Sequence, residues 1–148
     1  MEELVKKDNI RVGLDASDWK EAIRLAGEPL IKSGYIERQY IEDMIRSVEE
    51  LGPYIVLTKG FALAHSAPCP AVLRSGISLI TLQEPVCFGS GNDPVNVVMC
   101  LACTDKVSHI ETLQKIARIL MREGSIERLA EAKTVEELYS RINDAEEV

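Results

Sequence analysis

The sequence predicts an α/β fold, a mixed β-sheet flanked on both faces by helices. Three observations carry that prediction. Segments of helical period stand at both ends of the chain, and short apolar segments of strand character fill its middle. One of these, Val95 to Cys103, is apolar almost throughout, as a central strand buried on both faces should be.

The elements follow in order. Ile10 to Leu14 reads as a short first strand. Asp18 with Glu21 forms a capping box, and Ala22, Ile23, Ala26 and Leu30 follow at helical spacing. A proline lacks the N–H that a helix interior needs, so Pro29 is expected to kink or split that helix, and Gly34 to end it. The second helix spans Glu37 to Leu51 on a stripe of Tyr40, Ile41, Met44, Ile45, Val48 and Leu51, with Gly52-Pro53 stopping it. Tyr54 to Leu57 and Phe61 to His65 are short strands around a Lys59-Gly60 turn, and Gly76 to Leu82 is a third, partly alternating. Beyond the central strand, Ile110, Leu113, Ala117, Leu120 and Met121 line one helical face up to Gly124. Two shorter helices, Ile126 to Ala130 and Val135 to Ile142, close the chain, the latter opened by the box Thr134…Glu137.

The bulk properties bound the function. At 148 residues the chain is read as a single domain, 1–148, with 46% apolar residues and no repeat, low-complexity tract or linker. No apolar run approaches the ~20 residues of a spanning helix, and M-E-E-L-V-K-K-D lacks a signal-peptide pattern, so the expected location is cytoplasmic. A formal charge of −7 argues against nucleic acid, since phosphate backbones reward clustered Lys and Arg. It suits a partner with a basic face, or serves solubility alone. Without a secretory signal, Cys69, Cys87, Cys100 and Cys103 are expected reduced and buried. C-L-A-C at 100–103 resembles half a metal site, yet it lies on a strand. Residues three apart there face opposite sides, so the two thiols cannot share a metal.

The two histidines are the candidate reactive groups. In F-A-L-A-H the period of two places Phe61, Leu63 and His65 on one face and Ala62 and Ala64 on the other. A histidine where a strand enters a loop is placed as rigid scaffolds place reactive groups. It is equally what a half-buried histidine bonded to a backbone carbonyl looks like. His109 lies in S-H-I-E, where Ser108 and Glu111 match a capping box, making Ser108 the N-cap and His109 the first helical residue. That turn carries free N–H groups and the positive end of the helix dipole, an anion site, although a surface histidine fits there too. If the strands before the two histidines are parallel neighbours, both side chains meet at one edge of the sheet.

Phosphate loops, dinucleotide fingerprints, zincin motifs and nucleophile elbows are all absent from the sequence. Chemistry here must need little equipment. A neutral imidazole accepting a phosphoryl group meets that condition: its bare nitrogen attacks without a general base, and only positioning and charge stabilisation remain.

Four segments stand in a telling order and spacing: G-P-Y-I-V at 52–56, G-F-A-L-A-H at 60–65, N-D-P-V at 92–95 and S-H-I-E-T-L at 108–113. On these, from Ala22 to about Ile142, the chain resembles the IIA components of the bacterial phosphoenolpyruvate-dependent sugar phosphotransferase system, mannitol/fructose class (EIIA type 2). Within the class it is most similar to the ascorbate branch. The resemblance implies the phosphotransferase–anion transport protein-like fold, a mixed sheet between helices, with no metal or organic cofactor. It implies that His65 accepts a phosphoryl group through Nε2 from the phosphocarrier HPr. The group then passes to the cysteine of a IIB partner during uptake through a membrane IIC component. His109 would support His65 without carrying phosphate. A homodimer is compatible with this picture.

Two departures stand beside the active histidine. The family usually has proline where Ala64 stands, and often Ala-Arg where this chain has Ser66-Ala67; Arg38, Arg46 and Arg74 are the available substitutes for the missing cation. The alternative function on the same fold is a stand-alone regulatory phospho-switch, of the nitrogen-regulatory or transcription-regulating kind. A plain interaction domain with unreactive histidines is the third.

Overall fold

The computed structural model describes residues 3–143. A 3-10 turn at Lys7–Asn9 leads into β1 (Ile10–Leu14), followed by α1 (Trp19–Lys32) and α2 (Arg38–Leu51). The strands β2 (Val56–Thr58), β3 (Phe61–Ala64), β4 (Gly76–Val86) and β5 (Val95–Ala102) come next, then α3 (Lys106–Leu120), α4 (Ser125–Ala130) and α5 (Val135–Asn143). No described helix is long and apolar enough to cross a membrane.

The five strands form one mixed sheet in the order β1-β4-β5-β3-β2. β1 runs parallel to β4 and β3 parallel to β5, while the β4–β5 and β2–β3 pairs are antiparallel. The most apolar segment, β5, takes the middle of the sheet, where neither face meets water. Alternation along the strands then divides the interior in two. Ala62, Ala64, Val98 and Cys100 pack under α1 and α2, whereas Phe61, Leu63, Met99, Leu101 and Cys103 pack under α3, α4 and α5. Cys100 and Cys103 therefore face opposite cores, as a strand's period of two requires.

Several elements differ from the sequence expectation. Pro29 neither splits nor ends α1, which continues to Lys32. The proline removes one N–H, but its fixed φ suits a helix. Ala26 and Leu30 on either side are fully buried, and Ser33 N–H closes the last turn on the Pro29 carbonyl. β2 begins two residues late because Tyr54 N–H bonds the Gly52 carbonyl in a tight turn. β4 runs four residues past Leu82, through Pro85 at a register irregularity where the proline's missing donor costs no ladder bond.

The stripe expected on α3 packs only in part: Leu113 and Leu120 lie against the core, but Ile110, Ala117 and Met121 do not. Ile116 and Ile119 are buried, while Ile110 is 56% and Met121 84% exposed. This helix is apolar on two sides, so periodicity alone does not choose its inward face; the sheet does. Of the cysteines, Cys100 and Cys103 are buried as expected, but Cys87 is exposed and Cys69 only half-buried, because both lie outside the central strand.

Candidate functional site

His65 follows β3 directly, and its backbone continues the face of Phe61 and Leu63. α3 packs over that same face, and its first turns bring His109 beside it. The two imidazole centroids are 5.6 Å apart at 46°. The parallel β3–β5 pair makes this possible, since both strands end at the same edge of the sheet, with Ala64 opposite Cys100.

The proton on His65 is placed by its neighbour. Nδ1 lies 2.7 Å from the Leu63 carbonyl oxygen, which can only accept. Nδ1 therefore carries the hydrogen, and in the neutral ring Nε2 is the bare, nucleophilic nitrogen. Burial pushes the His65 pKa below its ordinary value; the Leu63 bond opposes this, and the neighbouring His109 adds to it. The ring is thus held neutral, in one tautomer, at neutral pH.

Two tyrosines fix the backbone around it. Tyr54 Oη donates to the His65 carbonyl at 2.8 Å, and its ring meets the imidazole edge-on, 5.3 Å between centroids at 82°. Tyr40 is fully buried on α2; its hydroxyl donates to the Leu101 carbonyl at 2.8 Å and accepts from Ser66 N–H at 3.0 Å. One phenol thus joins the loop after His65 to the end of β5. Burial raises the Tyr40 pKa far above the ordinary phenol value, so the group stays protonated. Sequence reading placed Tyr40 on a core stripe and Tyr54 in a strand. Neither role was visible there, because each partner is a backbone group more than ten residues away.

The capping assignment at α3 requires correction. Asp105 is the N-cap: its Oδ1 accepts from Ser108 N–H at 2.7 Å and its Oδ2 from Ser108 Oγ at 3.0 Å. An ionised carboxylate at the positive helix end is the stronger cap, so it displaces the serine. His109 is consequently the fourth helical residue, and its N–H already bonds the Asp105 carbonyl. What His109 offers is its side chain. Its Nδ1 is buried with no hydrogen-bond partner among the described residues.

Two of the three cations considered as substitutes are engaged elsewhere. Arg38 pairs with Glu28 at 2.7 Å, and Arg74 stacks 4.3 Å over Tyr35 while donating to the Ser33 carbonyl. The N-D-P-V segment is also away from the histidines. The Asp93 carboxylate accepts from the N–H groups of Phe88, Gly89 and Ser90 and organises the loop before β5, at the opposite end of the sheet. Among the described residues no three His, Cys, Asp or Glu side chains cluster as a metal site would need.

Comparison with known proteins agrees with this architecture. Residues 3–145 match the family described as phosphoenolpyruvate-dependent sugar phosphotransferase system, EIIA 2. The ascorbate-specific PTS system EIIA component of Escherichia coli K12 is 30% identical over 142 residues, covering 95% of this chain and 92% of the relative. The solution structure of the mannitol-specific cryptic phosphotransferase enzyme IIA CmtB from Escherichia coli superposes with a TM-score of 0.86 at 31% identity, covering 95% of both chains. In the Escherichia coli complex of enzyme IIA mannitol with phosphorylated enzyme IIB mannitol, the matching chain gives a TM-score of 0.78 at 31% identity, covering 93% of this chain and 96% of that one.

Proposed function

We propose a function from the premise that this chain belongs to the EIIA 2 family of the phosphoenolpyruvate-dependent sugar phosphotransferase system. It is the phosphocarrier of an ascorbate-type uptake system, working in the cytoplasm as one domain. His65 Nε2 attacks the phosphoryl group of phospho-HPr; the donor histidine leaves with the electron pair of the broken P–N bond. In the second step a IIB thiolate attacks the phosphorus, and the His65 P–N bond breaks back to the neutral imidazole. The IIB protein then serves a membrane IIC component.

One observation carries this reading: the Nδ1–H bond to the Leu63 carbonyl, which leaves Nε2 as the nucleophile. Phosphoryl transfer asks little more of the protein than position and charge stabilisation. Tyr54 and Tyr40 hold the acceptor's backbone, and the unpaired His109 imidazole supplies a donor to the transferring oxygens. The ascorbate-specific relatives favour transport over the regulatory alternative.

The test is direct labelling. With phosphoenolpyruvate, enzyme I and HPr, the protein is expected to take up acid-labile, base-stable phosphate, and His65→Ala to abolish it. A His65→Ala protein that labels fully places the acceptor elsewhere.

A further inference from the structure

The 24 acidic residues outnumber the 17 Lys and Arg, yet five of those cations converge on one cleft at the β1 edge of the sheet. Lys6, Lys7, Arg11, Lys32 and Arg74 line a volume of about 680 Å³ in which Asp8 is the one lining carboxylate. Among the described residues none of the five forms an ion pair, and Lys7 Nζ lies 5.4 Å over the Tyr139 ring. Like charges left unpaired and close together oppose folding through mutual repulsion. No carboxylate among the described residues neutralises them.

The arginines are instead fixed by neutral groups. Arg11 Nη1 donates to the carbonyls of Asp8 and Ile10 at 2.9 and 2.8 Å. Arg74 is held by Tyr35 and the Ser33 carbonyl, as described above. Guanidinium groups anchored in this way keep further N–H donors free and lose little freedom on meeting an oxyanion. A second observation is independent of the charges. Asn9 lines the same cleft and is only 2% exposed; its Oδ1 accepts from Ser33 Oγ at 2.8 Å, which fixes the amide in the wall of the cleft. An amide held in this way adds a neutral polar group to the cationic lining at little further cost in freedom.

We propose that this cleft binds a small phosphorylated molecule of two or more negative charges, at a site separate from His65. The volume is that of a small-molecule pocket, and guanidinium, ammonium and amide donors match phosphate oxygens. Nucleic acid is repelled by the rest of an acidic chain, and the recessed volume of the cleft suits a small molecule rather than a protein surface. The two sites open on the same end of the sheet. Ile10, Leu79, Met99 and Leu63 form one row across it, so the cleft and His65 stand three strands apart, roughly 14 Å at the usual strand spacing.

The experiment is a titration of the full chain, labelled with nitrogen-15, followed by backbone amide shifts. The probes are inorganic pyrophosphate and glucose 6-phosphate, with citrate and a poly-glutamate peptide as competitors of other chemistry. Saturable shifts are expected at Asn9, Ser33 and Tyr35 and not at His65, with a Kd below about 1 mM. Binding is expected to weaken at least roughly tenfold in Lys6→Glu/Lys32→Glu, since two exposed cations become anions beside the ligand. That variant should still label at His65, which shows that it is folded. The proposal is overturned by the absence of saturation, by shifts centred on His65 and His109, by unchanged affinity in the double variant, or by citrate or poly-glutamate binding as tightly as pyrophosphate.

Discussion

His65 and His109 are both imidazoles at one edge of one sheet, yet their surroundings give them different work. His65 has its proton fixed on Nδ1 and its charged form disfavoured by burial. Its folded-state pKa lies below that of the unfolded chain, so the folded chain binds fewer protons there between the two values. The stability linked to this group is complete above the unfolded value of about 6.5 and is lost as pH falls through the folded one. NMR titration should find the His65 midpoint below 6.5, and His109→Ala should raise it only slightly, because burial is the larger cause. A midpoint at or above 6.5 would contradict the buried, neutral nucleophile. What His109 can contribute is its side chain, since its N–H is already committed to Asp105. A donor that strengthens its bond as charge builds on the transferring oxygens accelerates the step selectively. His109→Ala should therefore still accept phosphate at His65 but pass it to IIB on the order of 10²-fold more slowly, roughly 3 kcal/mol, and His109→Gln should recover part of the rate. Single-turnover transfer measures this; rates within about twofold of wild type for both variants would leave His109 a bystander.

The start of α3 decides where His109 sits. The S-x-x-E pattern points to Ser108 as the cap, whereas the backbone bonds give that place to Asp105, three residues earlier. Asp105→Ala should lower the melting temperature by roughly 2–5 °C and slow phosphoryl transfer, because the turn that carries His109 loosens. Ser108→Ala should do little to either; thermal melts that rank the two variants the other way would restore the serine as the cap. Elsewhere legibility depended on how one-sided a segment is. α2 has a single apolar stripe, and its buried residues Tyr40, Ile41, Met44, Ile45 and Val48 were readable, with Leu51 alone left exposed at the last helical position. α3 has apolar residues on two sides, so its inward face was not. The strand leading to His65 was legible from alternation, whereas its parallel pairing with β5 stood only as a condition, since neither strand's own pattern names its neighbour. The pinning of that strand's end by Tyr40 and Tyr54 was not, since a side chain bonding a distant carbonyl leaves no local pattern.

At the scale of the whole molecule, the sheet is a partition between two cores, and β5, like β3 and β4, feeds both. Val98, Cys100 and Ala102 face the α1–α2 core, while Met99, Leu101 and Cys103 face the core under α3, α4 and α5. Cys100 Sγ packs 3.9 Å from Met44 Sδ on α2, and burial pushes its thiol up to about 12, which leaves it an unreactive apolar group. Cys103 is likewise raised, by burial and by the Asp105 carboxylate near it. If both thiols are packing groups in separate cores, their contributions to stability are independent. Cys100→Ala and Cys103→Ala should each cost on the order of 1 kcal/mol in urea denaturation, the cost of trimming a buried atom. The double variant should cost their sum to within about 0.5 kcal/mol, as for residues without shared neighbours. Phosphoryl transfer per folded molecule should be unchanged in all three, because neither side chain reaches His65. A coupling energy well above 0.5 kcal/mol in that cycle would mean that the two cores communicate through β5. Stoichiometric zinc in the native protein, lost with the double substitution, would instead make C-L-A-C a metal site despite its geometry.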